Sequence, residues 1–185
     1  MNIQSIDDEL LDLVDLNDRV IGNIWRSEVL TRQLTNVRVV NLFLKNSAGE
    51  LWIPRRTAHK RLFPLCLDLS MGGYVASGET YAQALFREAS EELNLDLNAI
   101  EFQLLGSLTP HADRVSSFME VYEIETDLEP EYNRDDFIEA MWINPQALLD
   151  SIERGEAVKS DLEQLVKRFY GVAGLRDETL SKGNS

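Results

Sequence analysis

Cysteine, histidine and positive charge are scarce in this sequence of 185 residues. The single cysteine, Cys66, and two histidines exclude an internal disulfide framework and a cysteine-rich zinc site. There are 18 Lys and Arg residues against 32 Asp and Glu residues, a formal net charge of −14. Nonspecific nucleic-acid binding needs Lys and Arg to neutralise phosphates, and an anionic membrane attracts the same positive charge. We therefore expect neither nucleic acid nor a membrane as a partner.

Long apolar runs are also missing. No run approaches the ~18 residues that a membrane-spanning helix needs, and the N-terminal residues are acidic, unlike the basic start of a signal peptide. Hydrophobic residues make up 44% of the chain, which is enough for a sizeable core. We expect a soluble, cytoplasmic protein with one α/β domain rather than two.

Alternating apolar and polar residues predict an N-terminal β-hairpin over residues 11–22, with its turn at Asn17-Asp18. Runs of β-branched and apolar residues predict further strands. These cover residues 37–44, 51–53, 102–108, 117–125 and 138–143. Pro54 follows one of them, and a proline fits a strand only at a sheet edge or at an irregularity.

Three helices are predicted from their start signals. Thr80 and Gln83 have capping-box spacing for a helix over residues 80–93. Asn144-Pro145 provides a cap and a first-turn proline for the second helix, and residues 160–163 provide another capping box for the third. Strands and helices alternate without a regular βαβ rhythm, which favours an α+β fold or a mixed sheet over a doubly wound parallel fold.

The helix over residues 80–93 carries the most informative pattern. On a helical wheel with Glu88 at zero, Glu91 lies near roughly 300° and Glu92 near roughly 40°, so three carboxylates share one arc. An apolar face lies beside this arc and is predicted to pack into the domain. Its members are Ala82, Leu85, Phe86, Ala89 and Leu93. The carboxylates would then lie along the rim of a cleft.

Two interpretations of the carboxylate arc remain open. It is either an ordinary solvated acidic face or a site for a hard divalent cation such as Mg²⁺ or Mn²⁺. The like charges of Glu88 and Glu92 at i, i+4 cost about a few tenths of a kcal/mol, which a cation would relieve. Gly72, Gly73 and Gly78 precede the helix and allow backbone atoms to approach a ligand. These features favour the metal site.

The spacing of this segment resembles the Nudix box. Gly73 is followed after five residues by Glu79, then after seven by Arg87-Glu88, and then by Glu91-Glu92. Two positions depart from the family pattern, because Ala89 replaces a bulkier aliphatic residue and Asn94 replaces a glycine. Asparagine tolerates the left-handed conformation that glycine would adopt. Neither departure affects the carboxylates.

The resemblance extends over most of the chain and is similar to the Nudix branch related to isopentenyl-diphosphate isomerase, which also contains hydrolases. Segments 15–22, 38–44, 51–56 and 67–73 carry it. The resemblance implies an α/β/α sandwich with a mixed β-sheet, an N-terminal hairpin extension over residues 1–36, a Nudix hydrolase domain over 37–172 and a flexible tail over 173–185. Because family members are often dimers, it also implies a possible homodimer.

The implied reaction is hydrolysis of a diphosphate bond in a nucleoside di- or triphosphate, or in a related nucleoside diphosphate derivative. By resemblance, Glu88, Glu91 and Glu92 would hold Mg²⁺, or Mn²⁺ in its place, and the backbone carbonyl of Gly73 would be a further ligand. One of the three carboxylates, or a neighbour, would activate the attacking water. The metal would offset the charge of the phosphate oxygens.

Other residues have roles that are either implied by the resemblance or suggested by charge. Arg87 and Glu79 resemble the structural ion pair that orients the loop and the helix. Many relatives add a carboxylate from outside the box. Candidates are Glu120, Asp136 and Glu139. Arg55 and Arg56, in the densest basic cluster of the chain, are candidates for a phosphate clamp, since arginine matches phosphate oxygens; a solvated strand end is the alternative.

Two other functions are considered. A prenyl-diphosphate isomerase resembling the same branch would need a reactive cysteine near Met71 and a histidine-rich metal site, whereas Cys66 lies in an apolar run and is expected to be a packing residue. A non-catalytic nucleotide-binding Nudix module would not need all three box carboxylates. We therefore favour the hydrolase.

Overall fold

The computed structural model describes residues 8–171. The predicted flexible tail, 173–185, lies outside the described residues. The N-terminal hairpin is confirmed: β1 (Leu10–Val14) pairs antiparallel with β2 (Val20–Trp25). The helix α1 (Arg26–Arg32), which the sequence patterns did not predict, follows β2 directly.

The main sheet has six strands in the described part of the chain. They are β3 (Arg38–Lys45), β4 (Leu51–Arg56), β5 (Met71–Tyr74), β6 (Gln103–Leu108), β7 (Phe118–Glu125) and β8 (Phe137–Ile143). The order is β6-β7-β3-β4-β8, and β5 also pairs with β3. The β3–β7 pair is parallel and the other pairs are antiparallel, so the sheet is mixed.

Helices cover both faces of this sheet, which confirms the α/β/α sandwich. Helix α2 (Tyr81–Leu93) covers one face, and α4 (Pro145–Glu153) and α5 (Leu162–Tyr170) cover the other. The short helix α3 (Pro110–Asp113) has no buried residue. Residues of α2 share a buried cluster with Val40, Leu42 and Leu44 of β3. Residues of α4 and α5 share a second cluster with Phe43 of the same strand. Successive side chains of a strand point to opposite faces, so β3 contributes to both cores. No helix among residues 8–171 is long and apolar enough to cross a membrane.

Helix α2 begins and ends as predicted. The Thr80–Gln83 capping box is present, and Asn94 adopts the left-handed conformation with φ 52°. The predicted apolar face was wrong in one respect: Ala82 is exposed, whereas Ala84 and Glu88 are buried. The helix packs against β5, whose glycines have no side chains. The side of α2 that is buried therefore includes Glu88.

The capping box predicted for the last helix is also wrong. Helix α5 begins at Leu162, and its N-cap residue Asp161 makes no side-chain capping bond. The Asp161 carboxylate instead accepts hydrogen bonds from the backbone N–H of Ser116, at 3.0 Å, and from its hydroxyl. A tertiary contact with the loop before β7 thus replaces the local one.

Pro54 lies inside β4, just before an irregularity at which the register against β8 shifts between Arg55 and Arg56. Strand β4 pairs along its length with β8 but meets β3 only at Lys45 and Leu51. Where β4 does not pair with β3, the segment 66–70 bonds to it instead. The Asp68 N–H donates to the Pro54 carbonyl at 2.9 Å. The absent N–H of Pro54 therefore costs no bond to β8, and residue 68 is fixed beside the sheet.

The hairpin contacts the loop that precedes α2. Ser77 N–H donates to the carbonyl of Leu10 at 2.8 Å, and the Asp12 carboxylate accepts from the Gly78 N–H at 3.1 Å. Leu11, Ile24, Val29 and Val37 form a third buried cluster. These contacts attach the N-terminal segment to the loop, while the domain boundary near residue 37 remains a prediction.

Candidate active site

A cavity of about 1040 Å³ runs beside β5, between α2 and the segments around residues 56–63 and 159–161. Glu88, Glu91 and Glu92 of α2 line it, together with Gly72 and Gly73 of β5. Cationic residues line it as well. They are Arg26, Arg56, Lys60, Arg87 and Lys159. The cavity thus brings together the predicted carboxylates and part of the predicted basic cluster.

Glu88 is buried and lies directly on Gly73. A Cβ atom placed on Gly73 would be 2.0 Å from the Cδ atom of Glu88. Any larger residue at position 73 would therefore occupy the space of the carboxylate. Burial raises the pKa of Glu88 above its ordinary value, and the adjacent Arg87 guanidinium opposes this shift.

Arg87 connects the glycine loop to the helix. Its guanidinium donates two hydrogen bonds to the Glu79 carboxylate, at 2.9 and 3.0 Å, and one to the Tyr74 carbonyl at 2.9 Å. A third nitrogen donates to Glu88 at 2.7 Å and reaches Glu91 at 3.4 Å. The Glu79 carboxylate also accepts from the Ala76 N–H at 3.0 Å. The Arg87 guanidinium therefore fixes the loop at Tyr74 and at Glu79.

Glu92 lies one helical turn beyond Glu88, over Gly72. Its carboxylate accepts a hydrogen bond from the Gly72 N–H at 3.3 Å. Burial, followed by repulsion from Glu88, raises the pKa of Glu92 to about 8, while Lys159 opposes the shift. Two carboxylates are thus held close together on consecutive glycines of one strand.

The chemistry of these donors fits a hard divalent cation, which prefers carboxylate and carbonyl oxygens. Gly72 and Gly73 let the carboxylates of Glu92 and Glu88 approach the backbone of β5 closely. In the arrangement observed, Arg87 binds Glu88, and no group of three or more Asp, Glu, His or Cys side chains within residues 8–171 is arranged to hold a metal ion. Gathering three ligands requires the carboxylates to turn away from Arg87.

The two predicted phosphate-binding arginines lie in different surroundings. Arg56 lines the cavity and donates to the Asp68 carboxylate at 2.6 Å and to the Leu62 carbonyl at 3.2 Å. Arg55 is not among the residues that line the cavity; it binds Glu139 at 2.7 Å and Glu156 at 2.9 Å. The register of β4 against β8 shifts between these two residues, and only Arg56 faces the cavity.

The candidates for a further carboxylate are also separated. Glu139 is exposed and bound to Arg55, and the Glu120 carboxylate accepts a hydrogen bond from the Tyr122 hydroxyl. Neither lines the cavity. Asp136 does line it, where it pairs with Lys60 and helps to raise the pKa of Glu92. Of the three, the structure brings only Asp136 to the candidate site.

Sequence reasoning missed Asp68 and Lys159. Asp68 is buried and contacts both Arg56 and Lys159. A buried acid inside the apolar run 65–69 is a signal that could have singled out Asp68, since buried carboxylates need charged partners. Lys159 has no comparable signal, because its position beside the glycines depends on contacts between segments far apart in the sequence.

An α/β/α sandwich with a mixed sheet, in which a glycine loop leads into a glutamate-rich helix and Arg87 joins the two, defines the Nudix class of fold. The family model described as NUDIX domain matches residues 35–165, more than half of the chain. The chain therefore belongs to the Nudix family.

Similar curated proteins support this assignment. An uncharacterized Nudix hydrolase from Nostoc sp. is 59% identical over 162 residues, which cover 88% of this chain and 96% of the relative. A Nudix hydrolase from Deinococcus radiodurans is 49% identical over 165 residues, 89% of this chain and 96% of the relative. An isopentenyl-diphosphate Δ-isomerase from Paenarthrobacter aurescens is 27% identical and covers 78% of this chain and 81% of the relative.

The fold agrees with an experimental structure. A crystal structure of a protein from Deinococcus radiodurans superimposes with a TM-score of 0.83 at 49% identity, covering 88% of this chain and 99% of that one. The protein is a Nudix hydrolase by its domain and by these relatives. The isomerase is less similar to this chain than the two hydrolases are. Its similarity agrees with the resemblance to the isomerase-related branch that the sequence analysis describes.

Proposed function

We propose that this protein hydrolyses a phosphoanhydride bond of a nucleoside di- or triphosphate, or of a related nucleoside diphosphate derivative, with Mg²⁺ as cofactor. One observation carries the proposal: a single cavity is lined both by the carboxylates of α2 and by Arg56, Lys60 and Lys159. Carboxylates suit a divalent cation and the basic residues suit phosphate oxygens.

Each residue of the site has a distinct task in this reaction. Glu88, Glu91 and Glu92 would hold the cation, which supplies positive charge to phosphate oxygens and lowers the pKa of water. Arg87 orients the loop and the helix through Glu79. Arg56 binds a phosphate oxygen. A catalytic arrangement of this kind works mainly by positioning and by electrostatic stabilisation.

The two alternatives are less compatible with the residues present. Met71, near which the resemblance places the reactive cysteine of the isomerase branch, is fully buried. Cys66 is not among the residues that line the cavity. A binding module without activity would not need the carboxylates of Glu88 and Glu92 beside each other, since holding like charges together is costly without a cation.

A hydrolysis screen tests the proposal. Nucleoside di- and triphosphates, nucleotide sugars, dinucleoside polyphosphates and prenyl diphosphates are incubated with the protein and Mg²⁺, and products are separated by chromatography. We expect cleavage of at least one nucleoside derivative and loss of cleavage in EDTA. Isomerised prenyl diphosphate without hydrolysis would favour the isomerase instead. Tight nucleotide binding with no product would favour the binding module.

A further inference from the structure

The buried carboxylate of Asp68 holds two cationic side chains at the cavity wall. It accepts a hydrogen bond from Arg56 at 2.6 Å and lies 3.1 Å from the Lys159 ammonium. It also accepts from the Leu69 N–H at 2.8 Å. Asp68 is only 2% exposed, whereas the Lys159 side chain keeps 23% of its surface exposed. The acid is thus enclosed, and the ammonium faces the cavity.

The backbone fixes the position of Lys159. Its N–H donates to the Leu67 carbonyl at 2.9 Å, and the Leu67 N–H donates to the Ala157 carbonyl at 2.9 Å, so residues 157–159 pair with the segment that contains Asp68. Helix α5 begins just beyond, where the Leu162 N–H donates to the Lys159 carbonyl at 3.1 Å. A backbone held at both ends limits where the ammonium can lie.

The ammonium of Lys159 reaches the floor of the candidate metal site. It lies 3.3 Å from the position of a Cβ atom on Gly72, the residue whose N–H binds Glu92. It also lies close enough to Glu92 to oppose the raised pKa of that carboxyl. Lys159 therefore lies beside Glu92 as well as on the Arg56 side of the cavity.

The charges of this group do not cancel. Arg56 and Lys159 contribute two positive charges and Asp68 contributes one negative charge, and Lys60 nearby is paired with Asp136. In an acidic protein, this excess of one positive charge next to the carboxylates favours an anion that also binds the metal. A diphosphate has this property, since its oxygens can contact both sides.

We infer that Arg56 and Lys159, held by the buried Asp68, form a diphosphate clamp next to the carboxylates of α2. The inference rests on the proposed function and adds to it Lys159 as a substrate-binding residue and Asp68 as a positioning residue. The Lys159 ammonium contacts the phosphate nearest Glu92, and the Arg56 guanidinium contacts the neighbouring phosphate. Asp68 acts only through these two cations.

The central experiment compares Lys159→Met with Lys167→Met. Lys167 is an exposed lysine of α5 that binds Glu163, and it does not line the cavity. We expect Lys159→Met to raise KM by about one to two powers of ten, the effect of one lost charge-assisted contact. Lys159→Arg keeps the charge and recovers part of this loss. Lys167→Met leaves KM unchanged.

A binding measurement does not depend on turnover. Calorimetry with methylenediphosphonate, which resists hydrolysis, should show the same loss of affinity in Lys159→Met, while Lys167→Met should bind it with the affinity of the wild type. Asp68→Asn should raise KM more than it lowers kcat. In the Lys159→Met background it should raise KM by a smaller factor than in the wild type, because only its action through Arg56 remains. A purely structural Asp68 would instead produce additive effects.

The outcomes separate this inference from the proposed function. If the wild-type protein cleaves a phosphoanhydride but Lys159→Met keeps its KM and its methylenediphosphonate affinity, the clamp is overturned and the hydrolase stands. If the wild-type protein binds methylenediphosphonate through Lys159 but cleaves no phosphoanhydride, the clamp is supported and the hydrolase assignment fails. Equal losses in Lys159→Met and Lys167→Met would also overturn the clamp.

Discussion

At the scale of single residues, Glu92 has the most demanding surroundings. It is half-buried next to the buried Glu88, and the Gly72 N–H and the charge of Lys159 favour its ionised form. Two carboxylates held this close together, one of them buried, are costly unless a cation joins them. The cost is evidence that Glu92 serves chemistry rather than stability.

We expect Glu92→Gln to lower kcat by about two powers of ten or more, the range typical of a lost catalytic group. The substitution keeps the size of the side chain and removes its charge, so the fold should remain intact. Steady-state kinetics at limiting Mg²⁺ and a thermal melt measure the two effects. Wild-type kinetics in this variant would refute the metal-binding role of Glu92.

The raised pKa of Glu92 also predicts a pH dependence of stability. Its carboxyl titrates at about 8 in the folded protein and near its ordinary value of 4.5 in the unfolded chain. Between these values the folded state holds more protons, so the free energy of unfolding decreases as the pH rises. In metal-free buffer, the Tm should fall between pH 5 and 8 by less in Glu92→Gln than in the wild type.

The matched control for the pH experiment is Glu101→Gln, a substitution of an exposed glutamate outside the cavity. It should melt with the same pH dependence as the wild type. If Glu92→Gln also keeps that dependence, Glu92 is not the group responsible.

At the scale of elements, the close approach of α2 to β5 determines the geometry of the site. Gly72 and Gly73 provide the floor, and the carboxylates of the helix lie directly on it. The N-terminal hairpin and Arg87 hold the loop between these two elements. The contact therefore joins glycines of β5, which have no side chains, to charged side chains of α2.

Gly73→Ala should separate activity from stability. The new Cβ would lie 2.0 Å from the Cδ atom of Glu88. Because the end of a flexible side chain can move, the expected loss of stability is small, but Glu88 must leave its position and kcat should fall strongly. Gly22→Ala is the control, since a Cβ at that position has no heavy atom within 4 Å. Activity retained in Gly73→Ala would contradict the assigned position of Glu88.

At the scale of the whole molecule, the proposed function requires an acidic protein to bind a polyanion. The net charge of −14 repels a nucleotide at long range. Local positive charge must overcome this repulsion, and the cavity offers it in two forms, the proposed cation and the basic residues that line the cavity. We therefore expect nucleotide binding to depend strongly on the cation proposed to bind Glu88, Glu91 and Glu92.

Nucleotide affinity should decrease by about tenfold or more when divalent cations are removed, equivalent to about 1.4 kcal/mol. Calorimetry with the nucleotide in Ca²⁺, where turnover is expected to be slow, and in EDTA gives the comparison. A nonhydrolysable analogue in Mg²⁺ serves as the control for the choice of cation. Equal affinity with and without divalent cations would show that the cation is not the bridge.

The sequence by itself determined the hairpin and the limits of α2 and favoured a mixed sheet, whereas the family and the sandwich followed from the resemblance of one segment to the Nudix box. These depend on local signals, such as the alternation in β1 and β2, the capping box at Thr80 and the spacing from Gly73 to Glu92, which act over a few residues. The same periodicity placed the three carboxylates on one arc. It could not show that Glu88 is buried, because burial depends on what packs against the helix.

Only the tertiary structure decided which charged residues meet in the cavity. Arg55 and Arg56 are neighbours in the sequence, yet Arg55 binds Glu139, whereas Arg56 lines the cavity and binds Asp68. Lys159 reaches the glycines because residues 157–159 pair with the segment around Leu67. Pairings between segments about 90 residues apart in the sequence leave no local pattern, since they depend on where the whole chain folds.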